Sequence, residues 1–345
     1  MTIKCLFYVD SGPLVGLGHL IRTIALGKEL KKNNFRIRYL INDNIETIKI
    51  IKKQNLLYHT VDFKNLELQK KYLEENTSDI IITDFFNPSP ELLLLLKKYC
   101  NLLVSVDDYN LSQYCSDVII NPNSFYKKED YTKSAPKSEI LCGSKYYIMD
   151  KKFRKFHLND KKLEKIANNV LVTFGGNDPN NSSLEVIDAL SGFKDEKIIS
   201  SSKIFKKEND MKRKKLLQSK PNVKIYDFIK NMPKIIYDSD VVFCGGGSTL
   251  YQSACVGTPI ITIPQAEHEL RTAIEFERKK IAINLGLGKD VSKDDIKNAF
   301  LKIREDKRVR RAMSVNGKKE VDGKGTERVA QLVLDRLNNY EKKRN

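Results

Sequence analysis

VDSGPLVGLGHLIRTIALGK, residues 9–28, is the stretch whose reading decides the fold. It leaves a short apolar run (3–9), crosses a turn carrying Gly12, Gly16 and Gly18, and enters an amphipathic helical pattern over 18–32. His19 sits where that helix begins. A helix start offers unpaired backbone N–H groups and a partial positive charge, which together seat an anion. A second Gly-rich turn of the same kind, CGGGSTLYQ at 244–252, lies in the other half of the chain. Two strand–turn–helix crossings in two halves point to two nucleotide-fold domains with a cleft between them.

Working outward, short apolar runs alternate with helical patterns along the whole chain. The predicted strands of the first half are 3–9, 36–41, 80–83, 102–106 and 117–120, with helices over 18–32 and 90–99. Those of the second half are 169–174, 197–201, 223–225, 241–244, 259–263 and 281–284. Such alternation implies an α/β fold of two Rossmann-like domains, each a parallel sheet covered by helices on both faces. The Lys-rich stretch 150–168 reads as a linker, giving domains at 1–155 and 165–345. The last helical pattern, from about Arg304 onward, is expected to end partly exposed.

Composition narrows the function classes. At 345 residues the chain is long enough for two domains. The net charge of +17 admits nucleic acid, an anionic membrane surface, a phosphorylated ligand, or lysines spread over solvated faces. The densest cluster, Lys212–Arg213–Lys214–Lys215, has no interleaved aromatics and so does not read as a single-strand stacking platform; no nucleic-acid partner is expected. The six cysteines show no CxxC pair, and no signal peptide or bilayer-length apolar run is present, so the expected compartment is the cytoplasm. The spacing of the four histidines does not suggest zinc. Neither a metal nor a cofactor is expected.

Ligands of open parallel sheets bind outside the carboxyl ends of the strands, so the turns at 10–19, 83–86, 106–109, 174–179 and 245–249 carry the chemistry. In the first, Gly16 and Gly18 allow close backbone approach and His19 falls in the first helical turn. The helix dipole there disfavours an imidazolium, and neutral imidazole is the form a general base needs. The competing reading is a polar residue capping the loop. Gly245–Gly246–Gly247, followed by Ser248 and Thr249, offers N–H groups and hydroxyls to a diphosphate; the competing reading is tight helix–strand packing. Gly175 and Gly176 are further phosphate candidates, while Asp178 and Pro179 suit N-cap and first helical position. Asp84, Asp107 and Asp108 stand at strand ends, each a catalytic carboxylate, a cap, or the partner of a cation.

With these residues on the page, the chain resembles the nucleotide-sugar hydrolases of the pseudaminic acid pathway and the related spore-coat polysaccharide family. The resemblance is carried by DS…GxGHxxR (10–22), IITD (81–84), SVDDY (105–109), DVIINPN (117–123), Cys142–Gly143 and VTFGGNDPNN (172–181). The segment 228–264 also looks like the uridine-binding domain of the peptidoglycan N-acetylglucosaminyltransferase. The resemblance implies the glycosyltransferase-B architecture with its active site in an interdomain cleft. It implies metal-independent hydrolysis of a UDP-linked 2,4-diacetamido-2,4,6-trideoxy sugar, with inversion and release of UDP.

Residue by residue, the resemblance makes His19 the water-activating base; Asp10 and Asp84, beside it at strand ends, are the further catalytic candidates. The nucleotide falls to Gly175, Gly176, Phe228, Gly246, Gly247, Ser248, Thr249 and Gln252. The sugar falls to Gly18, Asn123, Asn177, Glu267 and His268. Four positions depart from the pattern. Phe86 replaces a tyrosine, Tyr8 a basic residue, Gln252 the carboxylate that holds the ribose hydroxyls, and Glu267–His268 an Asn-Gln pair. An amide bonds ribose more weakly than a charge does. The departures cluster around substrate recognition. The alternative activity on the same architecture is a glycosyltransferase with a UDP-sugar donor.

Overall fold

The computed structural model describes residues 2–12, 16–175, 178–193, 197–201, 211–212, 215, 217–226 and 229–344. It divides into two compact units: Met1–Lys151 together with Lys324–Asn345, and Lys152–Gly323.

The first unit is built on a seven-stranded sheet, β1 (Ile3–Val9), β2 (Phe35–Ile41), β3 (Leu57–Thr60), β4 (Ile80–Asp84), β5 (Leu102–Val106), β6 (Val118–Asn121) and β7 (Glu139–Cys142). Its spatial order is β3-β2-β1-β4-β5-β6-β7, and every pairing is parallel. Central strands of such a sheet are buried on both faces, which is why they read as unbroken apolar runs. Phe7, Val9, Ile82 and Val104 fill one side, while Leu6, Tyr8, Ile81 and Leu103 fill the other. Helices α1 (Gly18–Leu30), α2 (Ile45–Lys53), α3 (Leu66–Glu75) and α4 (Pro90–Lys97) connect the strands. α1 lies close on the sheet because Gly27 carries no side chain: a Cβ there would stand 2.6 Å from the Tyr39 hydroxyl and 3.2 Å from the Phe7 ring. The two strands that the sequence did not announce, β3 and β7, are the sheet's edges. β3 alternates half-buried and exposed residues, so it lacks the apolar run that marks the inner strands.

The second unit carries a six-stranded parallel sheet in the order β10-β9-β8-β11-β12-β13. Its strands are β8 (Asn169–Thr173), β9 (Lys197–Ser201), β10 (Val223–Tyr226), β11 (Val241–Cys244), β12 (Ile260–Thr262) and β13 (Ala282–Asn284). Its helices with defined bounds are α5 (Lys151–His157), α6 (Ser182–Leu190), α7 (Met232–Asp238), α8 (Ser248–Val256), α9 (Glu267–Arg278), α10 (Lys293–Arg304) and α11 (Lys307–Glu320).

Two organisational expectations are corrected. The stretch 150–168 is not a free linker: it begins with α5, buries Phe153, and bonds into the second unit. There His157 Nδ1 lies 2.8 Å from the Cys255 carbonyl and Lys161 Nζ donates to the Ser239 carbonyl at 2.7 Å. The chain's end does not stay with the second unit either. The charged pattern after Arg304 is two helices, α11 and α12 (Gly325–Arg344), separated near Gly323. α12 lays Val329, Ala330, Val333 and Leu337 into the first unit's core. It is pinned there by Thr326 Oγ1 donating to the Met149 carbonyl at 2.8 Å and by a two-point Arg336–Glu139 pair at 2.6 Å. Apolar spacing on one face of a charged helix, not overall hydropathy, decides where it packs.

Candidate active site

Neighbouring strands of the first sheet end together, and their turns gather the polar residues. Val9 pairs with Asp84, and the Asp10 amide donates to the Asp84 carbonyl at 3.1 Å, so the ends of β1 and β4 are in register. Beyond Asp10 the loop is closed by a two-way bridge between Gly12 and Gly16, with N···O distances of 3.1 and 2.7 Å. The chain then enters α1 at Gly18, which is exposed, and no side chain caps that helix start.

His19 turns from this start toward β4. Its Nδ1 lies 2.5 Å from Asp84 Oδ1. Asp84 is fully buried and ionised, so Nδ1 carries the proton and donates it. Burial alone would depress the imidazole's pKa; the charge and hydrogen bond of Asp84 outweigh it and raise it above the ordinary value. The depression expected from the helix dipole is thereby corrected: the adjacent carboxylate wins. The ring is only 8% exposed. Its Nε2 makes no hydrogen bond with any described residue, yet it is not among the polar atoms sealed from water without a partner. His19 is buried beside Asp84, and its described side-chain partners, Asp84 and Arg22, both meet Nδ1.

Arg22, three residues along α1, completes the arrangement, since residues i and i+3 share a helix face. Its Nε and Nη2 donate to the two oxygens of Asp84 at 2.6 Å each, while Nη1 and Nη2 donate to the two oxygens of Asp108 at 2.8 Å each. Burial opposes the ionisation of Asp84, but Arg22 and His19 hold its carboxyl below the usual range. Asp10 is half-buried, and desolvation pushes its pKa up although His19 counters this; Asn42 donates to it at 3.2 Å.

The other residues of the same turns are structural. Asp107 accepts from the Tyr114 and Tyr131 hydroxyls and from the Tyr109 and Asn110 amides, which spends it on shaping its own loop. Asn123 donates from its amide to the Asp108 carbonyl at 2.8 Å, bracing the turn that carries Asp108. Tyr8 is buried with its hydroxyl donated to Gln69. Phe86 is exposed and packs its ring 5.0 Å from that of Tyr109.

In the second unit the Gly-rich turn joins β11 to α8. Gly247 is the residue before the helix, with no side-chain cap, and Ser248 and Thr249 form its first turn. Gln252 is half-buried one turn further on. Gly246 departs from expectation. Its amide is taken by Glu269 Oε2 at 3.0 Å, the same oxygen that accepts from the Gln265 amide at 2.8 Å. A Cβ on Gly246 would stand 2.4 Å from the Glu269 carbonyl oxygen. The packing reading therefore holds for Gly246, and the amides without a partner among the described residues belong to the start of α8. Gly175 is exposed with φ +77°, a conformation that suits glycine. Asp178 accepts from the Ser182 and Ser183 amides at 2.8 and 2.9 Å, which satisfies two helix-start donors, but the N-cap is Asn181 and the helix begins at Ser182, not at Pro179. Glu267 and His268 are exposed in the first turn of α9. Gly176, Asn177 and Phe228 lie outside the described residues.

Sequence alone assigns no role to Arg22, which lies within the 10–22 motif, or to Glu269. The signals were present: an arginine one helical turn from the histidine, and an acidic residue at the third position of a helix. Among the described residues no group of three or more His, Cys, Asp or Glu side chains is placed to hold a metal ion. No described helix is long and apolar enough to cross a membrane.

Two parallel-sheet Rossmann-like units of this kind define the glycosyltransferase-B fold. Acinetobacter baumannii MurG superposes with a TM-score of 0.69 over 96% of this chain and 99% of that one, at 14% identity. Residues 158–329 match the Glycosyltransferase family 28 C-terminal domain. Homologues of the whole chain include the spore coat polysaccharide biosynthesis protein SpsG of Bacillus subtilis, 26% identical over 95% of this chain and 97% of that protein. A second relative, over part of the chain, is the UDP-2,4-diacetamido-2,4,6-trideoxy-beta-L-altropyranose hydrolase of Campylobacter jejuni, 23% identical over 80% of this chain and 97% of that protein.

Proposed function

We propose that this protein hydrolyses a UDP-linked deoxy or acetamido sugar, releasing free sugar and nucleoside diphosphate, in the biosynthesis of a bacterial surface glycan. The observation that carries the reading is the His19–Asp84 contact. A buried carboxylate fixes the proton on Nδ1 and leaves Nε2 with its lone pair, the arrangement of a general base. Nε2 takes a proton from water as the water oxygen bonds to the anomeric carbon. The bond from that carbon to the diphosphate oxygen breaks, and its electron pair leaves with the diphosphate. Asp84 stabilises the imidazolium as it forms. In this reading the amides at Gly247, Ser248 and Thr249 stabilise the leaving diphosphate, a kind of electrostatic help often worth about 3 kcal/mol per donor. The names of the two homologues support an activated sugar and a surface polysaccharide.

The second reading, a glycosyltransferase, is favoured by the family 28 match over 158–329; an acceptor hydroxyl then replaces water. Incubation with a panel of UDP-, CDP- and GDP-sugars without acceptor separates the two. Free sugar and nucleoside diphosphate in stoichiometric amounts support hydrolysis. Turnover that appears only when an acceptor is added supports transfer.

A further inference from the structure

Arg22 is held on two edges. The edge formed by Nε and Nη2 faces Asp84, and the edge formed by Nη1 and Nη2 faces Asp108, so Nη2 is shared between the two carboxylates. The same Nη2 lies 3.1 Å from His19 Nδ1. Both atoms carry hydrogens, so this is a contact between two donors that Asp84 Oδ1 alone reconciles. The side chains of Arg22 and Asp108 are only 12% and 14% exposed, and their charges are therefore weakly screened.

We propose that Asp108, which touches neither His19 nor Asp84, is a positioning residue that sets the basicity of His19 by balancing Arg22. Two effects act in the same direction. With Asp108 ionised, the guanidinium charge is shared with the outer carboxylate and Asp84 keeps Oδ1 for the ring. Without that charge, Arg22 bears wholly on Asp84 and on the ring beside it, which disfavours imidazolium. The charged groups facing His19 are Asp84 from β4, Arg22 from α1, Asp10 after β1 and Asp108 after β5. Of these, only Arg22 opposes protonation, and Asp108 is its counterweight. The fold places that counterweight firmly: Asn123 holds the Asp108 carbonyl, and Asp107 ties the same loop to Tyr114 and Tyr131.

The inference rests on the reading of His19 as a base, but its test needs no substrate. The ring signals of His19 are followed by NMR through a pH titration, identified against His59, His157 and His268 by their loss in His19→Gln. In Asp108→Asn the midpoint moves to lower pH while the proton of the neutral ring stays on Nδ1. In Asp108→Glu, which keeps the charge, the midpoint returns toward that of the unaltered protein. An unmoved or raised midpoint in Asp108→Asn, or equal displacement in both variants, overturns the proposal. Failure to hydrolyse any sugar overturns only the function it serves.

Discussion

Asp84→Asn is the substitution on which the site's chemistry turns. Asp84 accepts three charge-assisted bonds at 2.5–2.6 Å, two from Arg22 and one from His19. An amide has one accepting oxygen, so however it turns, its NH₂ meets an N–H donor of Arg22. The larger consequence is electrostatic. The imidazolium formed during catalysis loses the carboxylate beside it and keeps the guanidinium. A charge-assisted bond of this type is worth about 1.5–3 kcal/mol, which converts to roughly 10- to 150-fold in rate. Adding the Arg22 charge, which Asp108 alone then balances, kcat should fall by about 10²- to 10⁴-fold. The pH dependence has a definite sign. The base must be neutral, so activity climbs with pH through the raised pKa of His19, and removing Asp84 moves this acid limb to lower pH. Stability gives a second check. The lowered pKa of Asp84 makes a contribution that is present above the unfolded value of about 3.9 and lost as pH falls through the folded one. The raised pKa of His19 makes a contribution that is complete below about 6.5 and lost as pH rises through the folded value. The assay is a pH–rate profile of both proteins with a turned-over UDP-sugar, alongside urea unfolding at several pH values. A loss of less than about tenfold with an unmoved acid limb would refute the assignment.

Four other outcomes follow from named contacts. Gly246→Ala puts a methyl 2.4 Å from a backbone oxygen, so it should destabilise the second unit by about 1–3 kcal/mol in thermal or urea unfolding. Gly247→Ala meets only the Glu269 carboxylate at 3.4 Å, and it should fold normally while weakening UDP binding measured by calorimetry. Asp178→Ala removes the acceptor of two helix-start amides, which should cost about 1 kcal/mol of stability while leaving the His19 titration unchanged. Deleting α12 exposes the core surface that Val329, Ala330, Val333 and Leu337 cover, and the first unit should then lose cooperative unfolding by circular dichroism.

What was legible in the sequence was what burial makes periodic. The inner strands of both sheets were visible because residues such as Ile80–Ile82 and Val241–Phe243 are buried on both faces. The edge strands β3 and β7 were not, because an edge needs no continuous apolar run. His19 and Asp84 were each visible at a strand or helix terminus, but the 2.5 Å contact between them joins residues 65 apart in the chain. Nothing local encodes that distance; the adjacency of β1 and β4 produces it. The same holds for Arg22, whose partners come from two other strand ends, and for α12, whose apolar face matches a core built largely from the first 150 residues. The reading of three glycines as one phosphate cradle failed at Gly246 because close helix packing and anion binding ask for the same residue type.

The most direct test of the account is turnover of a UDP-sugar in ¹⁸O-labelled water without acceptor. The account requires the label at the anomeric oxygen of the released sugar, unlabelled UDP, and loss of the product in His19→Gln. Label in the UDP would place bond breaking at phosphorus, and undiminished turnover by His19→Gln would remove the imidazole from the chemistry.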